Sequence, residues 1–179
     1  MNESLRTSCT LVGTLVALDE RRGTVRMEDV FDTDIDDLWA ALTEPERLLR
    51  WIGTVTGDLR PGGTIHARFT STWEGPGRIE ICEAPRRLLL TMEPGSPDET
   101  VTEAVLTSSG DQTRLVIEER GLSLKVLYQH GAGWHAHVED LRSYLDGRVP
   151  ADWKKRWSEL KPTYENLPIV GPTSGSKQQ

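Results

Sequence analysis

Between residues 54 and 120 no stretch of the chain holds a helical period, and turn-forming strings cut it into short β-type segments. The punctuation is Arg60-Pro61-Gly62-Gly63, Gly75-Pro76-Gly77, Glu83-Ala84-Pro85 and residues 94–97 and 108–111. It predicts strands near residues 54–59, 64–73, 77–83, 87–93, 100–107 and 113–120. Connections this short cannot carry parallel crossovers, so the strands must pair antiparallel in a meander. Residues 10–18 and 24–31 are also β-rich and flank the polar turn 19–23, which predicts an opening hairpin. A sheet of this size needs an apolar cover. The segment 131–145 supplies it, because Trp134, Val138, Leu141 and Leu145 recur at i, i+4, i+7 and i+11 as one helical stripe.

Two shorter helices interrupt the strands early. The stretch Asp32 to Asp34 offers N-cap chemistry to a helix carrying Ile35, Leu38, Trp39 and Leu42, with Asp36 and Asp37 in the first turn where the helix dipole favours acids. Pro45 then fits the first turn of a second helix carrying Leu48, Leu49, Trp51 and Ile52, which Gly53 ends. After Gly147 and Pro150, Trp153, Trp157 and Leu160 predict a short amphipathic helix. The 179 residues therefore divide into an N-terminal strand-and-turn extension (1–23), a main α+β domain (24–147), a helical appendage (148–170) and a small polar tail (171–179) expected to be disordered.

Composition removes several function classes. A net charge of −7 and no basic stretch argue against a nucleic-acid or anionic-membrane partner. No apolar run approaches the roughly 18 residues of a bilayer span. The faint signal-like pattern of Arg6 followed by residues 10–18 is broken by Thr10, Gly13 and Thr14 and runs into charge without a small-residue cleavage site, so it reads as strand and turn. Two cysteines, Cys9 and Cys82, make neither a disulfide framework nor a four-ligand metal site, and free thiols in a cytoplasmic protein are the simpler expectation.

No catalytic motif is legible. His135 and His137 lie roughly 200° apart around a helix and His130 and His137 roughly 10 Å apart along it, so they cannot chelate one ion, and with His66 they read as surface or helix-flank residues. There is no nucleophile elbow, phosphate loop or catalytic cysteine signature. Glu118, Glu119, Asp36 and Asp37 stand in runs that read as solvated faces. No metal and no cofactor are expected.

The inward faces are more informative. Ile65, Ala67 and Phe69 alternate with His66, Arg68 and Thr70, and Leu115 and Ile117 alternate with Arg114 and Glu118, so each strand has one apolar face and the sheet is wet outside. On residues 100–107 the inward set is Thr102, Ala104 and Leu106, with small groups where a filled core would want bulk. A cavity follows, unless the helix carrying Trp134 fills the space. The residues assigned to its walls are Trp51, Phe69, Trp73, Met92, Thr102, Ala104, Trp134 and Val138, a polarisable set suited to an apolar aromatic molecule. Trp39 reads as core packing.

The strings Val25-Arg26-Met27-Glu28, Ile35-Asp36-Asp37-Leu38-Trp39-Ala40-Ala41-Leu42-Thr43-Glu44-Pro45-Glu46 and Leu49-Arg50-Trp51 resemble the start of SRPBCC domains, of the START-like, helix-grip superfamily. Asp58-Leu59-Arg60-Pro61-Gly62-Gly63, residues 79–90 and 110–119 and Gly133-Trp134 extend the resemblance over residues 24–147, and the branch it is most similar to is that of bacterial homologues of the eukaryotic heat-shock-chaperone ATPase activator. The resemblance implies a curved antiparallel sheet gripping a long C-terminal helix, with an internal cavity that often receives an apolar small molecule. It supplies no catalytic set, since the superfamily spans carriers, hormone binders, cyclases, chaperone regulators and antibiotic self-resistance proteins.

The leading expectation is a non-enzymatic binder, whether carrier, sensor or sequestering protein, of an aromatic or polyketide-like molecule of secondary metabolism. Three alternatives stand beside it. One is a self-sacrificing resistance protein that gives up a hydrogen atom from an open glycine such as Gly53, Gly75 or Gly77 to an enediyne-like product. The others are a chaperone regulator or homodimer, and a cyclase for which Thr102 and Tyr128 are the polar candidates.

Overall fold

A computed structural model describes residues 11–171; Cys9 and residues 172–179 of the expected tail lie outside them. In chain order the elements are β1 (Thr14–Ala17), β2 (Arg22–Phe31), α1 (Ile35–Thr43), α2 (Pro45–Leu48), β3 (Gly53–Gly57), β4 (Thr64–Phe69), β5 (Glu74–Glu83), β6 (Arg87–Met92), β7 (Thr100–Ser109), β8 (Gln112–Ser123), α3 (Leu127–Leu145), α4 (Trp153–Glu165) and β9 (Ile169–Val170). The strands form one sheet of order β3-β4-β5-β6-β7-β8-β2-β1-β9. The meander is therefore real and antiparallel, and a short parallel pairing of β9 with β1 makes the sheet mixed. It curls around α3 in the helix-grip arrangement.

Local chemistry explains most boundaries. Asp34 caps α1 by accepting from the Asp37 amide at 2.9 Å, and Pro45 opens α2. α2 is only one turn long; the chain then turns and enters β3 at Gly53, whose φ of +144° suits glycine. The Trp51 indole N–H donates to the Ala41 carbonyl at 2.9 Å and pins this corner to α1. Bulges at Gly23/Thr24 in β2 and between Ile79 and Ile81 in β5 bend the sheet.

Two expectations about local structure need correction. Gly75-Pro76-Gly77 is not a turn but part of β5, and the β4–β5 turn lies at Thr70–Trp73, where the Phe69 amide donates to the Trp73 carbonyl at 2.9 Å. Proline is tolerated because β5 meets β6 only from Gly77 onward, so the absent N–H breaks no bond to β6, while the Pro76 carbonyl accepts from Glu93. The long helix starts at Leu127, before Gly131 and Gly133 rather than at them. Glycine weakens a helix in isolation. Here both are buried; the Tyr164 ring closes tightly on Gly131, whereas Trp153 lies at ordinary contact distance from Gly133.

The ends of the chain pack into the body. α4 lies along α3, and its Leu160 and Tyr164 are buried. The Tyr164 hydroxyl accepts from the Gly13 amide at 2.8 Å, so the segment before β1 and the helix near the C-terminus meet at one side chain. Arg156 pairs with Glu139 of α3 at 2.6 Å, and β9 extends the sheet beside β1. The segment expected as an appendage thus supplies core contacts. Among the described residues, no helix is long and apolar enough to cross a membrane.

Candidate functional site

A cavity of about 720 Å³ lies between the concave face of the sheet and α3. Its floor is built by strand alternation: Ile65, Ala67 and Phe69 from β4, Ile79 from β5, Leu88, Leu90 and Met92 from β6, Thr102 and Ala104 from β7, and Ile117 from β8. Leu42, Leu48 and Trp51 close one end, α3 supplies Gly133, Trp134 and His137, and Trp153 and Trp157 of α4 cover the space. The small residues Thr102 and Ala104 stand beneath it, as the inward pattern of β7 predicts.

An aromatic arc runs along one wall. Trp73 stacks on Phe69 with ring centroids 5.2 Å apart, Phe69 meets His137 edge-on at 6.2 Å, and His137 contacts Trp134 at 6.0 Å and Trp153 at 5.3 Å. Trp153 in turn stacks on Trp157 at 5.9 Å. Such offset and edge contacts hold rings rigidly and present polarisable faces. The Thr70–Trp73 turn places Trp73 back over Phe69, and Trp157 is held by its indole N–H donating to the Gln129 carbonyl at 3.0 Å.

Seven of the eight residues assigned from sequence line this cavity: Trp51, Phe69, Trp73, Met92, Thr102, Ala104 and Trp134. Val138 does not; it falls about 100° around α3 from His137 and is sealed in the closed core. Tyr128 does not line it either, and neither do Gly53, Gly75 and Gly77, which are buried in strands; the glycines on the wall are Gly121 and Gly133. Cys82 is half-buried at the cavity.

Three polar residues lie elsewhere than their local sequence pattern predicts. Glu119, assigned to a solvated run, points inward and is buried: its Oε2 accepts from the Trp134 indole at 2.8 Å and meets His130 Nδ1 at 3.1 Å, and its Oε1 accepts from Thr100 at 3.2 Å. The signal was there, since 115, 117 and 119 continue one alternation on β8. His135 and His137, expected at the surface, are both buried, because α3 is covered by the sheet on one side and by α4 on another. His137 lies one turn from Trp134 on the cavity side, and burial pushes its pKa down to about 3, which keeps the ring neutral.

The far flank of α3 carries charge. Burial works against ionisation of Glu139, but its bonds to Arg156 and His135 outweigh this and bring it down to about 2. Asp140, one turn beyond His137 and not on that flank, is pushed up to about 6 by burial, although the Ala151 amide donates to it at 3.2 Å. Among the described residues, no three His, Cys, Asp or Glu side chains come together as a metal site.

This architecture has solved counterparts. The crystal structure of CalU16 from Micromonospora echinospora superposes with a TM-score of 0.73 at 26% identity, over 88% of this chain and 98% of that one. DynU16, described as a protein in the dynemicin biosynthetic locus, gives 0.65 at 24% identity over 71% of this chain and 48% of that one. The BPP1335 protein of Bordetella parapertussis gives 0.67 at 23% identity, over 86% of this chain and 90% of that one. The last two likenesses show the fold alone. None of the curated proteins matches this chain. A family model described as activator of Hsp90 ATPase homolog 1-like protein matches residues 32–146, from the approach to α1 to the end of α3. With that match over more than half of its length and the helix-grip fold around it, the chain belongs to the activator of Hsp90 ATPase homolog 1-like family of the SRPBCC superfamily.

Proposed function

We propose that this protein binds an apolar, aromatic or polyketide-like small molecule inside the cavity, as a carrier, sensor or sequestering protein. The observation that carries this reading is the space of about 720 Å³ walled by the Trp73–Phe69–His137–Trp134 arc and covered by Trp153 and Trp157. Its volume lies within the range of small-molecule sites, and its walls are apolar with a few polar groups. Tryptophans on the wall also make binding observable. Titration with a panel of polycyclic aromatics, polyketides and fatty acids should give saturable quenching of tryptophan fluorescence with unchanged protein mass. A flat response across the panel would sink the reading.

A second reading is favoured by the glycines on the cavity wall, whose α-carbons carry no side chain to shield them. In it the guest is a reactive natural product, such as an enediyne, that the protein disarms at its own expense. A carbon radical on the guest takes a hydrogen atom from a glycine Cα, its C–H bond forming as the glycine's breaks, and dioxygen traps the glycyl radical before the chain is cut. Gly121 and Gly133 are the glycines on the wall. Mass spectrometry after exposure to an enediyne separates the readings: cleavage near either glycine supports the second, and an intact chain without protection of DNA removes it.

A further inference from the structure

The aromatic arc ends on a group that an apolar cavity does not need. Among the described residues five charged side chains line the space, and four of them, Arg22, Glu93, Asp98 and Lys154, are half-buried or exposed. The fifth, Glu119, is 9% exposed. A carboxylate in such a place is costly unless it is hydrogen-bonded or paired. Its oxygens accept from Thr100 at 3.2 Å and Trp134 at 2.8 Å, and His130 Nδ1 stands 3.1 Å from Oε2. Among the described residues no lysine or arginine pairs with it.

These contacts hold the carboxylate in one orientation without saturating it, because two carboxylate oxygens offer about four acceptor positions. Across the β7–β8 ladder it stands opposite Thr102, another cavity residue, and on β8 the preceding inward residue is the apolar Ile117. Its immediate neighbours Thr100, Thr102 and His130 are polar, and beyond them the sheet face of the cavity is mainly apolar. A fixed acceptor in an apolar wall discriminates strongly between guests that can donate to it and guests that cannot.

We propose that Glu119 is the polar anchor of the ligand site, and that the guest is an aromatic molecule bearing a hydrogen-bond donor, a hydroxyl or a protonated amine, at one end. Its ring system lies along Trp73, Phe69, His137 and Trp134, and its donor meets Glu119, which the Trp134 indole holds in place. This rests on the small-molecule reading of the cavity and sharpens it.

Three probes on one skeleton test it: 9-methylanthracene, 9-anthracenemethanol and 9-(methylaminomethyl)anthracene, titrated into the full chain by fluorescence. Transfer from water alone favours the methyl compound, so a donor preference is diagnostic. At least one donor probe is expected to bind about tenfold or more tightly than the methyl parent. A lead for the amine assigns a cationic guest, and a lead for the alcohol a hydroxylated one. Glu119→Gln, which keeps an acceptor oxygen for Trp134, should erase most of an amine preference and leave the methyl compound unchanged. Equal affinity of the three probes for the wild type overturns the anchor while the cavity reading stands. No binding of any probe overturns both. An amine preference that persists unchanged in a folded Glu119→Gln variant, or an alcohol preference that persists unchanged in a folded Glu119→Leu variant, also overturns the anchor, and if the variant does not fold the wild-type ranking decides.

Discussion

His135 and His137, two residues apart on α3, are both buried and face opposite kinds of interior. On the His135 flank both ring nitrogens and the Tyr164 hydroxyl have partners. Its Nε2 meets Glu139 at 3.0 Å and its Nδ1 the Tyr164 hydroxyl at 3.0 Å, which also accepts from the Gly13 amide; the tautomer that satisfies all of them carries its proton on Nε2. On the other flank His137 Nδ1 and the neighbouring Trp153 indole N–H are buried without partners among the described residues, and the rings border empty volume. Unpaired buried polar groups typically cost ~1–3 kcal/mol each. One flank of the helix is closely packed and polar-satisfied, and the other keeps open volume and two unpaired polar atoms among the described residues.

The contrast is best broken at Tyr164. Removing its ring by Tyr164→Ala leaves a void beside Gly131 and Leu15 and strips Gly13 and His135 of their partner, with an expected loss of about 3–5 kcal/mol in urea unfolding. Trp73→Ala on the hollow flank should cost under about 2 kcal/mol and instead weaken the binding of the best panel ligand about tenfold or more. Equal stability losses would erase the distinction.

Acid titration tests the two flanks next. His137, held at about 3 against an ordinary 6.5, contributes stability that is present above pH 6.5 and lost as pH falls toward 3, because only the unfolded chain takes the proton in that window. Asp140, raised from 3.8 to about 6, has the opposite sign: its contribution is full below pH 3.8 and lost as pH rises through 6. Between pH 6 and 4.5 the two oppose each other. His137→Leu should therefore gain stability on acidification over this window, by up to about 1.4 kcal/mol per pH unit, where the wild type stays nearly flat. Below 4.5 the stabilisation from Glu139, held at about 2, and from other carboxylates held low such as Glu103 and Asp37, is lost in both proteins. Parallel pH profiles of urea midpoints would show that His137 is not buried neutral.

Two glycines give the smallest effects and the sharpest contrast. A Cβ at Gly131 would sit 2.5 Å from the Tyr164 ring, so Gly131→Ala should destabilise by about 1–3 kcal/mol. At Gly133 the same atom would meet Trp153 at 3.4 Å, an ordinary contact, so Gly133→Ala should be neutral or stabilising by up to about 1 kcal/mol through helix propensity. Thermal or urea unfolding of the pair is decisive, since matching losses would mean both flanks are equally full.

Much of the fold was legible from residues alone. Period-2 alternation with short polar connections implies an antiparallel meander, and the Trp134-Val138-Leu141-Leu145 stripe implies a covering helix, because these patterns reflect local backbone geometry. The same alternation, carried two residues further on β8, already pointed Glu119 inward; the run of acids around it hid this. Residues on the β4, β6 and β7 faces were placed at the cavity for the same reason.

What lay beyond the sequence were contacts between distant segments. Pro76 is acceptable in β5 only because of where β6 begins, the Thr70–Trp73 turn is defined by which residues close the hairpin, and β9 needs β1 as a partner. Which side of α3 is filled and which is hollow depends on α4 laying Tyr164 on one flank and Trp153 on the other. Local pattern decided that this chain would build a sheet with a helix across it. The tertiary structure decided where the space remained and that a carboxylate faces it, because volume and burial are set by the sum of long-range contacts rather than by any one segment.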